Sequence, residues 1–163
     1  MIITGNDTNA TIELKQGLDR AFTIKDLGEL RYFLGIEVLW SAEGTILLQR
    51  KYATNILTDM GLIACKPTSF PLATNLKLST DSGEPLTNPE SYRQLIGKLL
   101  YLNIIRPDMS YAIQHLSQFL SCPREPHMQA AIHLLKYLKG TINTNLLYPI
   151  KSHFNVQAYT DAD

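Results

Sequence analysis

Three amphipathic runs between residues 89 and 140 constrain this chain most. In the first, Tyr92, Leu95, Ile96, Leu99 and Leu100 recur three or four positions apart, the spacing of one helix face. Asn88 precedes it as a capping residue and Pro89 suits the first helical position. The second run is "RPDMSYAIQHLSQFL". There Pro107 interrupts the preceding helix and opens the next, whose apolar positions are Met109, Ala112, Ile113, Leu116, Phe119 and Leu120. "CPREPH" breaks the pattern again. A third helix is expected from about His127 to Lys139, with Met128, Ala131, Ile132, Leu135 and Leu138 inward and Gly140 ending it. Helices with single apolar stripes and short links bury those stripes against one another.

The first 88 residues read differently. "MIIT" at 1–4 suggests a short buried strand, and "GND" at 5–7 a turn. A helix is expected from Thr11, as its cap, to Phe22, on the spacing of Leu14, Leu18, Ala21 and Phe22. "YFLGIEVLW" at 32–40 is aromatic and β-branched; "SAEG" turns the chain and "TILLQ" resumes an extended run, which predicts a hairpin. "KYATNILTDMGL" predicts a helix with Tyr52, Ala53, Ile56, Leu57 and Met60 on one face and Gly61 at its C-terminal cap. Residues 64–88, with Pro67, Pro71 and Pro85, read as a long irregular connection between two parts. A weak strand near 145–148 and a terminal one at 155–160 close the chain, with a hairpin as one arrangement.

Charge is uneven. Formal net charge is zero, yet residues 91–140 hold six basic residues (Arg93, Lys98, Arg106, Arg124, Lys136, Lys139) against Asp108 and Glu125. Residues 1–90 hold eight basic and eleven acidic ones. The helical half could face phosphates, and a solvated helix face gives the same count. Cys65 and Cys122 are too few for a disulfide framework and read as reduced thiols in an intracellular compartment. No run approaches the length of a membrane helix and the start does not read as a signal peptide, so no membrane partner is expected.

Local motifs carry little chemistry. No P-loop, dinucleotide fingerprint or serine elbow occurs. His127 and His133 are six apart, off one clean helix face, and read as ordinary helix histidines. Asp161 and Asp163 would face one side of a strand. Two carboxylates do not complete a two-metal cage, so a solvated strand end is the plainer reading. Arg106 reads as a phosphate contact or as the partner of Asp108 at a helix start; Lys136 and Lys139 lie in a last turn, where cations are favourable anyway. Tyr101, Tyr111 and Tyr137 could stack on bases or fill a core.

The order of segments is more specific than any one of them. "MIITGND", "FTIKDLGELRYFLGIEV", "ILLQRKYATNIL", "GLIACKPTSFPL", "YRQLIGKLLYLNIIRPDMSYAIQHLSQFL", "HMQAAIHLLKYLKGT" and "AYTDAD" together resemble the Pol polyprotein of Ty1/copia-type LTR retrotransposons. The likeness is to the end of the reverse-transcriptase domain running into the first strand of ribonuclease H. It implies an α+β fold: a partial palm with a primer-grip-like hairpin at 1–63, the connection at 64–88, a helical thumb and connection bundle at 89–140, and ribonuclease H-like strands from 141 to 163.

Site residues follow from the resemblance. Lys25 would approach the incoming nucleotide. Tyr32, Phe33, Leu34 and Gly35 would belong to the primer grip. Arg93, Lys98, Arg106, Lys136 and Lys139 would contact an RNA/DNA template–primer duplex. Asp161 would be the first metal-binding aspartate of an incomplete ribonuclease H site. In the family a "YVDD" motif precedes the "MIITG" strand, so the polymerase metal ligands are expected to be missing. The expectation is therefore a fragment without catalysis of its own, with no cofactor in this chain and Mg²⁺ or Mn²⁺ in the complete enzyme. Two alternatives stand beside it: a non-catalytic nucleic-acid-binding module, and a structural fragment that self-associates through an exposed palm surface.

Overall fold

The computed structural model describes residues 1–151, 156 and 158–160. It is a mixed α+β fold in which a β-sheet region is followed by a helical bundle. Helix α1 spans Thr8–Phe22; strands β1, β2 and β3 span Tyr32–Phe33, Ile36–Trp40 and Gly44–Leu48; α2 spans Arg50–Asp59. Then come α3 (Pro89–Leu102), a 3₁₀ turn (Pro107–Met109), α4 (Ser110–Ser117), α5 (Glu125–Gly140) and β4 (Leu146–Pro149).

The core lies among α2, α3, α4 and α5. Asn88 caps α3 through Ser91 N–H, and Pro89 occupies its first turn, as expected. Tyr92, Leu95, Ile96 and Leu99 are buried, but Leu102 completes the stripe in place of Leu100, which is 41% exposed. The step from 99 to 102 keeps the helical period, whereas 100 rotates off the face. Tyr92 places its hydroxyl on the Leu116 carbonyl at 2.8 Å, which satisfies the polar end of a fully buried ring. Burial on α5 falls on His127, Ala130, Ala131, Leu134, Leu135 and Leu138, so the inward stripe is rotated from the expected one. Helix α2 ends as Gly61 implies: with φ of 66° it receives the turn, Leu62 N–H reaches Leu57 O and Gly61 N–H reaches Thr58 O. That pair of bonds is a Schellman motif, and Leu62 packs against the core.

The sheet has the order β1-β2-β3-β4, antiparallel throughout. Within the expected extended run at 32–40 the chain reverses at Leu34 and Gly35, both at positive φ (47° and 77°), between the paired residues Phe33 and Ile36. Two consecutive positive φ values match the twist of a two-residue hairpin. The predicted strand near 145–148 exists, but its partner is β3: Ile46 faces Leu147 and Gly44 faces Pro149. Val156 and residues 158–160 lie in no strand, and the rest of the expected terminal strand, with Asp161, lies outside the described residues.

The N-terminal part departs most from expectation. Residues 1–4 form no strand; a strand needs a hydrogen-bonded neighbour, and among the described residues none is paired with them. Helix α1 starts at Thr8, because the Asp7 carboxylate, not Thr11, accepts the Ala10 N–H at 3.0 Å. No residue of α1 is buried, and Phe22 is 74% exposed. Residues 64–88 contain no helix or strand apart from an isolated bridge from Pro85 to Arg124.

Candidate nucleic-acid interface

The hairpin turn is fastened to the bundle. The Tyr101 hydroxyl, at the end of α3, donates to the Leu34 carbonyl. A Cβ on Gly35 would lie 3.5 Å from the Tyr101 ring, and the Tyr101 ring meets Tyr52 of α2 edge to face at 5.0 Å. Tyr52 in turn donates to the Lys98 carbonyl at 3.4 Å. Leu34, Gly35 and Lys98, far apart in the chain, are thus gathered around two tyrosines. The Lys98 ammonium pairs with Asp59 at 2.6 Å, both half-exposed. An exposed pair of this kind is worth little and exchanges readily for another anion.

Below the hairpin, a groove of about 800 Å³ is lined by Met1, Ile2, Lys25, Tyr32, Phe33 and Trp40, among others. Lys25 therefore shares a groove with Tyr32 and Phe33. It is exposed, with no acidic partner among the described residues. Tyr32 is also crossed by Lys51 at 5.9 Å, a cation–π approach. The Glu37 carboxylate accepts the Lys51 main-chain N–H at 3.0 Å and an Arg50 guanidinium N–H at 3.2 Å. Gln49 at the helix start offers no side-chain cap, so a strand residue supplies it.

The remaining predicted cations are dispersed. Arg93 donates to the carbonyls of Leu120 and Ser121 at 2.9 and 3.2 Å, closing the end of the α4 segment. Lys136 and Lys139 lie half-buried on the C-terminal half of α5 without an acidic partner among the described residues. Arg106 is 2% exposed. Its guanidinium makes two bonds to Asp108, at 2.9 and 2.7 Å, and two to Thr141, at 3.0 and 2.6 Å. Four of its five N–H donors are engaged inside the fold, which fits the helix-start ion pair, one of the two readings of the sequence. The Arg106 hydrogen bonds hold the Asp108 carboxyl below its ordinary value. Burial, with Asp108 at 3.0 Å, pushes the Tyr137 hydroxyl up.

Among the described residues no group of three His, Cys, Asp or Glu side chains could hold a metal ion. The described residues therefore do not fit a two-metal centre. Asp161 lies outside them. Sequence reasoning missed Tyr101 and Tyr52 as the clasp and Glu37 as a helix cap. One carboxylate inside the apolar run "YFLGIEVLW" was the available signal for Glu37.

Comparison with known proteins agrees with the segment order. Residues 1–74 match the family described as reverse transcriptase (RNA-dependent DNA polymerase). All 163 residues align at 42% identity with the retrovirus-related Pol polyprotein from transposon RE1, and at 37% with that from transposon RE2, both of Arabidopsis thaliana. The chain spans 11% of the length of each. It is also 36% identical, over its full length and 68% of the relative, to an uncharacterized mitochondrial protein of the same plant. No solved structure matches. The chain belongs to the retrotransposon Pol-related reverse transcriptase family and carries part of the reverse transcriptase region.

Proposed function

We propose that this chain forms the duplex-contacting part of a Ty1/copia-type reverse transcriptase and performs no phosphoryl transfer by itself. The clasp of Tyr101 on the Leu34 carbonyl carries the reading, because it holds the hairpin turn and Lys98 at one place. In this assignment Tyr32, Phe33, Leu34 and Gly35 support the primer strand and Lys25 faces the incoming nucleotide. Lys98, Lys136 and Lys139 meet backbone phosphates, which attract cations without regard to sequence. Arg93 contributes only if it leaves the carbonyls of Leu120 and Ser121. Residues 1–63 serve as palm remnant, 64–88 as connection, 89–140 as thumb, and 141–163 lead toward ribonuclease H. Asp161 would be the first aspartate of that centre, which takes Mg²⁺ or Mn²⁺ in the complete enzyme.

Phosphoryl transfer needs charge stabilisation from ions held by several oxygen ligands. Absence of such a cluster among the described residues supports the non-catalytic half of the proposal. The test combines two assays on the purified chain. An RNA–DNA hybrid should bind with affinity that falls as salt rises, and primer extension with Mg²⁺ or Mn²⁺ should yield no product. Templated extension would refute the second half, and undetectable binding the first.

A second reading has its own support. Met1, Leu27 and Phe22 are 79%, 82% and 74% exposed, and α1 buries nothing. Surfaces of this kind associate. Self-association through these exposed side chains predicts a concentration-dependent increase in mass on size exclusion, abolished by Phe22→Asp with Leu27→Asp; a monomer at all concentrations removes it.

A further inference from the structure

The connection at 64–88 is a strap laid along α5, running from the C-terminal end of the helix to its start. Pro67 sits against Gly140, where an added Cβ would lie 3.0 Å from it. Thr68 N–H reaches the Lys136 carbonyl at 3.4 Å, and His133 Nε2 lies 3.1 Å from the Phe70 carbonyl. Further on, His127 Nε2 lies 3.0 Å from the Ser79 carbonyl. Arg124 donates to the carbonyls of Thr80 and Gly83, both at 2.6 Å. Main-chain bonds from Glu125 to Glu84 and from Leu86 to Pro123 finish the seam. Leu72, Leu76, Leu78 and Leu86 of the strap pack on the core.

His127, unlike His133, is completely buried. Its ring stacks on Phe119, with centroids 3.9 Å apart. Nδ1 accepts the Arg124 main-chain N–H at 3.0 Å. An accepting Nδ1 requires a neutral ring with its proton on Nε2, which donates to Ser79. The charged form has no acceptor at Nδ1. The ionisable groups near it are Arg124 at the helix start, His115 on α4 and Tyr92 on α3, whose hydroxyl is committed to Leu116. None of these is a carboxylate, and Glu125 on the helix and the strap's Asp81 and Glu84 are exposed. The strap itself covers the Nε2 edge, so lifting it is the direct way to bring a charged ring to water. His133 differs: its bond to Phe70 needs only Nε2–H and survives protonation.

We infer that acid unfastens one half of the strap: protonation of His127 frees residues 77–87 from α5 while the His133 end and the helices stay in place. Burial lowers the His127 pKa from its ordinary value, in accord with this geometry. The open strap then takes up a proton that the closed one refuses. Opening is therefore favoured as pH falls below about 6.5, by up to roughly tenfold per unit until the closed-form pKa is reached.

Hydrogen exchange on the intact chain at pH 7.5 and 5.0, expressed as protection factors, tests this. Residues 77–87 should lose protection by about tenfold or more, with 66–72 and the interior of α3 unchanged. A His127→Gln variant, which does not titrate, should show no such pH dependence. Equal protection of 77–87 at both pH values would overturn the inference. So would loss in step with α3, which means global unfolding, or a pH response retained in His127→Gln. Should that variant not fold, the contrast between 77–87 and 66–72 in the unmodified chain decides.

Discussion

The Tyr101 hydroxyl donates to the main-chain carbonyl of Leu34, tying the end of α3 to the turn of the β1–β2 hairpin. Neither residue is in the buried core, so their bond sets position more than stability. Tyr101→Phe keeps the ring against Tyr52 and removes the bond. A loss of about 1 kcal/mol in urea unfolding is expected, the usual net worth of one hydrogen bond. Duplex affinity should fall as well, because Leu34 and Lys98 lose their fixed spacing. Unchanged affinity would show that the clasp does not serve binding.

Leu34 itself is strained. It holds φ of 47° and is 69% exposed, in a position where Asn is preferred. Leu34→Asn should stabilise the chain by about 0.5–1 kcal/mol, read from the melting temperature. If the leucine is kept to touch the primer strand, the same variant binds duplex less tightly. Greater stability with undiminished binding would remove Leu34 from the interface.

Arg106 and Asp108 make a different prediction. Arg106→Ala leaves Asp108 and Thr141 without their common partner, with only the Tyr137 hydroxyl still donating to Asp108, and should cost about 3–5 kcal/mol. The Asp108 carboxyl titrates below its ordinary value because Arg106 bonds its charged form. Such a group stabilises the fold above its unfolded pKa, near 3.8, and that contribution is lost as pH falls through the lower folded value. Denaturation curves below pH 4 should therefore separate the wild type from Asp108→Asn: the wild type loses stability with acid, and the variant loses less.

Gly44 joins the last strand to the hairpin. An added Cβ would collide with the Tyr148 carbonyl and lie 2.8 Å from the Pro149 Cα. Gly44→Ala should detach β4 from β3, seen as loss of amide protection across Leu146–Tyr148, while the helical bundle keeps its own. Retained protection at β4 would show that the strand adapts.

Much of this architecture could be read from local chemistry. Asn88 with Pro89, and Gly61 after Met60, mark helix ends through bonds that form within a few residues, and each sits where expected. What failed needed distant partners. "MIIT" has strand character but no neighbouring strand, and β4 finds β3 across about a hundred residues. Arg106 is basic and precedes a helix, so its character suits a phosphate; only the fold brings Thr141 to it. Lys98 and the hairpin are named separately by the sequence, and Tyr101 reads as a base-stacking or a core residue; only the fold brings them together.

Salt dependence of duplex binding tests the central claim most directly. Anisotropy of a labelled RNA–DNA hybrid should give a straight line of log affinity against log salt with a negative slope. Replacing Lys98, Lys136 and Lys139 together by alanine should make that slope shallower by roughly two to three, about 0.9 for each phosphate no longer neutralised. An identical slope in the triple variant, or binding indifferent to salt in the unmodified chain, would contradict the assignment of these lysines to nucleic acid.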